Sequence, residues 1–246
     1  MDAGPATVAG RRIVDLTQPL SPRTPRSSDH PEVTFETVRW YSRHGLHTSV
    51  AHLSVHVGTH IDAPRLFLPN GATIDEIGLD VLCGPAVVIG FELDDWEVID
   101  ADRLAAAAPD IHPGDIVIIR TGWHRQYTDE QRYVLKSPGL DKSAFDWLIE
   151  RGVCMVGSDT PSPEHIFMRS RQWSELRPDI FGAASFDPAD FPPAYGHRSL
   201  FAHGIPLLEG LGGGIDELVG SRVELLALPL PYVGVEAAQA RVVALV

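Results

Sequence analysis

GDIVIIRTGW, residues 114–123, carries four β-branched residues in a row, Ile116, Val117, Ile118 and Ile119. Side chains alternate faces along a strand, so a run without polar members presents apolar groups on both sides. A strand of that kind belongs in the middle of a sheet covered on both faces. Downstream, SPGLDKSAFDWLIERG (137–152) is punctuated as a helix. It has a Ser or Asp start, apolar Phe145, Leu148 and Ile149, and Gly152 as a stop. GVCMVGSDTPSP (152–163) returns to a buried strand that ends in a turn. Upstream, TIDEIGLDVLCGPAVVIGF (73–91) reads as a helical turn and then a buried strand. DADRLAAAAPD (100–110) is a short helix with Asp100 or Asp102 placed to cap it. RRIVDLTQPLSP, VTFETVRWY, RVELLALPLPYVG and ARVVALV are strand-like, and HTSVAHLSVHVG (47–58) alternates as a half-buried strand does. Strands and helices interleave, which makes an α/β chain.

The 246 residues suffice for one large domain, 1–246, and no fixed-period repeat divides it. The irregular stretch is 160–196, rich in Pro, Phe and Trp. Its aromatics Phe167, Trp173, Phe181, Phe186 and Phe191 disfavour plain disorder, and a lid over a site is the expectation. The formal charge of −13 argues against nucleic acid or an anionic membrane as partner and says little about the small-molecule substrate expected. The two cysteines, Cys83 and Cys154, lie in apolar runs and read as buried thiols of a reducing compartment. With no membrane-length apolar run and no signal-like start, a cytoplasmic location is expected.

HVGTHIDAPRLF (56–67) packs His56, His60, Asp62 and Arg65 around a glycine and a proline. With His52, Ser54 and His56 on one strand face and Gly58 turning the chain, His60 and Asp62 come back toward His56. Two imidazoles and a carboxylate suit zinc or manganese. By spacing alone the set reads either as metal ligands or as a polar turn with hydrogen-bonded histidines. No G-x-S-x-G elbow supports a serine nucleophile, and Cys154 has no adjacent histidine.

HVGTHIDAP resembles the signature of a metal-dependent cyclase family that includes bacterial kynurenine formamidases (arylformamidases), isatin hydrolases and cyclases of antibiotic pathways. IVDLTQPL, FLPNGATIDEI, GDIVIIRTGW, PGLDKSAFDWLIERGV, VGSDTPSP, HRSLFAHGIPLLEGL and ALPLPYVG resemble further family segments and occur in the family's order. The resemblance implies a single domain of the swivelling β/β/α type, with a mixed β core and flanking helices. It implies metal ligands at His56, His60, Asp62, His197 and Glu209, the last two twelve apart. They would hold one or two Zn²⁺ or Mn²⁺ ions: His56, His60, Asp62 and Glu209 around one, and Asp62, Glu209 and His197 around the other. It also implies a homodimer or homotetramer.

The family's signature closes P-x-H, and that histidine is the usual proton shuttle; here the position is Leu66. His52, His203 and Arg65 are the candidates to stand in, the histidines as acid or base and Arg65 as oxyanion stabiliser or carboxylate anchor. Asp159 is a candidate to orient a ligand histidine. His30, His44, His47, His112, His124 and His165 carry no motif and read as solvated loop residues. The entry loop SPRTPRSSDHP (21–31) lacks the tryptophan that lines formamidase pockets. The implied function is a metal-dependent hydrolase opening a cyclic or aryl amide or ester, with metal-bound hydroxide as nucleophile. The alternatives are a cyclase or dehydratase on a polyketide-like intermediate, and a non-catalytic metal-binding homologue.

Overall fold

Ile116–Arg120 forms strand β8, and every residue in it is buried. Ile116 and Ile118 join one apolar cluster while Val117 and Ile119 join another. The run is thus the spine of a sheet with a core on each side, as its composition requires. The structure is a computed structural model that describes residues 6–108, 110–169 and 187–246.

The sheet is built in chain order from β1 (Thr7–Val8), β2 (Arg11–Asp15), β5 (His60–Asp62), β6 (Cys83–Gly90), β8, β10 (Met155–Ser158), β11 (Leu207–Glu209), β12 (Arg222–Pro229) and β13 (Ala237–Leu245). Two short pairs lie apart, β3 (Thr34–Arg39) with β4 (Thr48–His52), and β7 (Val98–Ile99) with β9 (Gly139–Leu140). Strand order in the main sheet is β1-β2-β13-β12-β6-β8-β10-β11-β5. A further pairing of Ala237–Gln239 with His60–Asp62 closes β5 onto β13, so seven of the strands form a barrel. β6, β8, β10 and β11 run parallel, joined by helical crossovers, and β12, β13 and β5 complete the barrel through antiparallel pairings.

Each of the seven strands sends residues into one shared cluster, including Ile61, Val88, Ile118, Met155, Leu208, Leu225 and Ala238. This cluster fills the barrel. The alternate residues, Val87, Ile89, Val117, Ile119, Val156 and Leu207, pack outward against Leu104, Phe145, Leu148, Leu200 and Phe201 from the helices. Asp141 caps helix Lys142–Glu150 by accepting the Ala144 N–H at 3.0 Å, and Asp100 caps helix Ala101–Ala107 through Arg103 N–H at 2.8 Å. This is the mixed α/β architecture, β core with flanking helices, that the resemblance implies.

Expectations change for one strand and for the two thiols. HTSVAHLSVHVG is not one half-buried strand: β4 ends at His52, its five residues are exposed, and His56 lies in a turn. The lid aromatics Trp173, Phe181 and Phe186 lie outside the described residues. Phe167 and Phe191, at the two ends of the proposed lid, are core members packed edge-on to each other, and each also packs against His165. Cys83 and Cys154 are free thiols, half-buried rather than fully buried. No helix among the described residues is long and apolar enough to cross a membrane.

Candidate metal centre

On β5, Ile61 points into the barrel, so its neighbours His60 and Asp62 point outward on the helix side. Glu209 of β11 is directly opposite His60 in the antiparallel ladder, and Leu207 is opposite Asp62. Pairing the two strands therefore brings Glu209 to His60 although 149 positions separate them, a consequence of register alone. Helix Tyr195–Ala202 lays His197 over this face. His56 arrives from the turn before β5, where Gly58 adopts φ +70°. Gly210 approaches so closely that a Cβ there would sit 2.5 Å from the Gly58 carbonyl oxygen. Only glycine fits that contact. Thr59 pins the same corner, its hydroxyl donating to Gly210 O at 2.7 Å and accepting Gln18 N–H at 2.8 Å.

The five side chains converge. His56 Nδ1 is 2.8 Å from Asp62 Oδ1, and His60 Nε2 is 3.4 Å from both Asp62 Oδ1 and Glu209 Oε2. His197 Nε2 is 3.6 Å from Asp62 Oδ2 and 3.5 Å from Glu209 Oε1. Ligand atoms of His56, His60 and Asp62 lie within 4.8 Å of one another, as do those of Asp62, His197 and Glu209. Asp62 belongs to both groups.

The tautomers follow from the partners. His60 Nδ1 faces the Gly58 carbonyl at 2.9 Å, and a carbonyl only accepts, so Nδ1 carries the proton. Nε2 is then a lone pair aimed at two carboxylates. His60 Nε2, Asp62 Oδ1 and Glu209 Oε1 are buried and make no hydrogen bond of normal geometry, the close His56 Nδ1–Asp62 Oδ1 approach included. Acceptors facing one another in a dry site call for a cation between them. Without one, protons take its place. Burial alone would favour a neutral His60, but the Asp62 and Glu209 carboxylates outweigh it and push its pKa up to about 10. Burial would likewise raise both carboxylates; the surrounding histidines instead hold Asp62 well below its ordinary range and Glu209 at about 2. The donor set, three imidazoles and two carboxylates, fits a divalent transition ion.

Glu164 completes the frame. It is buried in the loop before helix Ile166–Arg169, its Oε1 accepts His197 N–H at 2.9 Å, and its Oε2 lies 2.8 Å from His197 Nδ1. A carboxylate behind a ligand histidine fixes the ring and its tautomer. Asp159, the candidate for this task, lies elsewhere: its carboxylate accepts Thr121 N–H and hydroxyl and His124 Nδ1–H.

The cluster floors a cavity of about 290 Å³, walled by Leu66, Phe67, Tyr127, Tyr133 and Val134. The structure does not bring the three candidate replacements for the missing shuttle to it. His52 is exposed on β4 and His203 is exposed at a helix end, donating Nδ1–H to Ser199 O at 2.8 Å. Arg65 is exposed beside Leu66 and donates to the Pro69 carbonyl. Each lies where its local backbone turns it to solvent. His30, read from sequence as solvated, instead lines the cavity and stacks on His56 with ring centroids 5.7 Å apart. His165 is also no loop residue in water: it is buried, donates to Trp96 O at 2.9 Å, and desolvation lowers its pKa to about 4. Glu164, His30, Tyr127 and Arg169 are the cavity residues that sequence reasoning passed over. The acidic residue one position before His165, in a turn ending a buried strand, was the available signal for Glu164.

Residues 14–165 match the family model described as "Putative cyclase". The chain is 30% identical over 237 residues to a kynurenine formamidase of Erythrobacter litoralis, covering 95% of this chain and 93% of that protein. Isatin hydrolase A from Labrenzia aggregata superposes with a TM-score of 0.79 at 25% identity, covering 96% of this chain and 94% of that one. A Bacillus stearothermophilus protein described as a "predicted metal-dependent hydrolase" superposes with a TM-score of 0.71 at 25% identity, covering 96% and 99%. On the family match and the formamidase relative, the chain belongs to the cyclase family.

Proposed function

We propose that the protein is a metal-dependent hydrolase that opens a cyclic or aryl amide or ester. The observation that carries this reading is the set of buried, unpartnered donor atoms of His60, Asp62 and Glu209 at the floor of an aromatic-walled cavity. Relatives that are a formamidase and an isatin hydrolase support it. His56, His60, Asp62, His197 and Glu209 are the proposed ligands; two triads sharing Asp62 favour a pair of ions, zinc or manganese, over one. A divalent ion there supplies a Lewis acid for the carbonyl and lowers the pKa of water from 15.7 toward about 7.

The chain's own residues do the rest. Phe67, Tyr127 and Tyr133 present an apolar wall to a single ring, and the small cavity limits water. Gly58 O orients His60, and Glu164 orients His197, so that each offers Nε2. Leu66 lines the cavity at the position where the signature this chain resembles closes on a histidine, so proton handling falls to another group. His30 is the cavity-lining imidazole outside the ligand set among the described residues, with Nδ1 3.0 Å from Ser54 Oγ, and we assign the task to it by position. The leucine also favours a second reading, a cyclase or dehydratase that uses the ion as Lewis acid alone.

Assays with N-formylkynurenine, isatin and simple lactones, in the presence of Zn²⁺ or Mn²⁺, separate the two. Hydrolysis abolished by chelation and by His60→Ala is expected; turnover indifferent to both would refute the hydrolase and cyclase readings together. A cytoplasmic, homo-oligomeric enzyme is part of the same proposal.

A further inference from the structure

The cavity holds two guanidinium groups among the described residues, and they differ. Arg26 is committed, with Glu32 at 3.5 Å and Glu130 at 4.0 Å. Arg169 ends helix Ile166–Arg169, lines the same cavity, and makes no ion pair or hydrogen bond with any described residue. Its Nη1 is buried and lacks an acceptor. The Tyr127 hydroxyl, also buried in this cavity, has no hydrogen-bond partner of normal geometry. Burial favours its protonated form, so it is a donor. Two buried donors, the cationic Arg169 Nη1 with no acceptor and the Tyr127 hydroxyl with only the Thr24 hydroxyl beside it, face the space that a ligand fills.

Burying a guanidinium N–H without an acceptor is costly, and native cavities keep such a group where a ligand supplies the missing oxygen. Guanidinium matches carboxylate in charge and in planar geometry. The floor of the cavity is rich in carboxylates, namely Asp62, Glu209 and Glu164. With ions bound, those carboxylates are neutralised and the floor takes the bond to be cleaved, so an anionic group elsewhere on the ring falls to the uncommitted guanidinium of Arg169. A volume near 290 Å³ admits one aromatic ring with its substituents.

We propose that Arg169, with the Tyr127 hydroxyl, forms a carboxylate-binding subsite that selects ring substrates bearing an anionic group away from the bond to be cleaved. The inference rests on the hydrolase reading for its activity test, and on the cavity alone for its binding test.

The activity test compares kcat/KM for 3-acetoxybenzoate and its methyl ester on metal-loaded protein. The wild type is expected to favour the carboxylate by about 10- to 100-fold, the range for a hydrogen bond to a charged partner, chiefly through KM. In Arg169→Gln the ratio falls to near one, and in Arg169→Lys it lies between. A wild-type ratio near one, or a ratio unchanged by Arg169→Gln, overturns the proposal. So does an equal loss on both esters, which marks a role at the reacting carbonyl or in folding. Should Arg169→Gln fail to fold, the wild-type and Arg169→Lys ratios decide. If the wild type cleaves neither ester, the hydrolase reading is judged on its own substrates, and calorimetric titration with 3-hydroxybenzoate and 3-hydroxybenzamide decides the subsite. Tighter binding of the anion, by tenfold or so and lost in the Arg169 variant, supports it; equal affinities overturn it.

Discussion

Glu164 holds His197 at two points: one carboxylate oxygen accepts the backbone N–H at 2.9 Å while the other lies 2.8 Å from Nδ1. Glu164→Gln can keep the first contact through its carbonyl oxygen. Its amide NH₂ then faces Nδ1, which favours the proton on Nε2, the nitrogen turned toward Asp62 and Glu209. We expect metal affinity to fall by about 10- to 100-fold, the usual cost of losing such a partner. Competition with a chromophoric chelator measures it, and an unchanged dissociation constant would remove Glu164 from the site.

Asp62 is common to both candidate triads, whereas His197 belongs to one. Asp62→Ala is expected to abolish metal uptake, and His197→Ala to leave one ion of the two. Elemental analysis of the purified variants reads the stoichiometry directly. Equal metal content in the two variants would contradict two ions sharing Asp62.

Metal-free protein should depend on pH in a particular direction. His60 and His197 are raised above 6.5, against their burial, by neighbouring carboxylates; His60 reaches about 10. A raised histidine stabilises fully below 6.5, and that contribution is lost as pH climbs toward about 10. Asp62 and Glu209 are lowered, so their contribution is present above their ordinary values and is lost on acidification, for Glu209 between 4.5 and about 2. The chelated protein is thus most stable in mildly acidic buffer and weakens above 6.5. Metal displaces those protons, so the gain in Tm on adding Zn²⁺ or Mn²⁺ should grow with pH. Thermal melts with and without chelator test this; a gain that shrinks as pH rises would count against it.

Leu66 and His30 line one cavity. If His30 handles the proton, His30→Gln should lower kcat by ~10²–10⁴-fold. Leu66→His should then recover part of the loss in that background. Steady-state kinetics on the hydrolysed substrate reads both, and a silent His30→Gln would return the question to Leu66.

The β3–β4 pair bonds to no other strand among the described residues, and apolar groups on and beside it face water: Phe35 of β3 is 47% exposed, and Trp40 and Tyr41 in the connection to β4 are 56% and 65% exposed. A two-stranded ribbon is marginal alone, and apolar groups so presented favour contact with another copy. Light scattering should give a dimer or tetramer that Trp40→Glu shifts toward monomer. A wild-type monomer at micromolar concentration would end the oligomer proposal.

The unbroken apolar run Ile116–Ile119 and the two helix starts near Asp100 and Asp141 were readable because strand and helix signals are local properties of the chain. The sequence leaves the capping residue of each helix between two candidates. The ligand residue types at 56, 60, 62, 197 and 209 were readable through motif spacing, and the strand register brings them together. The sequence by itself determined that much: a β-rich α/β chain with a candidate metal-binding set and no histidine at position 66. Only the tertiary structure decided which other side chains share the cavity. Glu164, His30, Tyr127 and Arg169 reach it from separate loops and helices, while His52, His203 and Arg65, nearer in sequence to the motifs, point to solvent. Barrel closure and helix docking set those neighbours, and both depend on packing between distant segments, which no local period encodes.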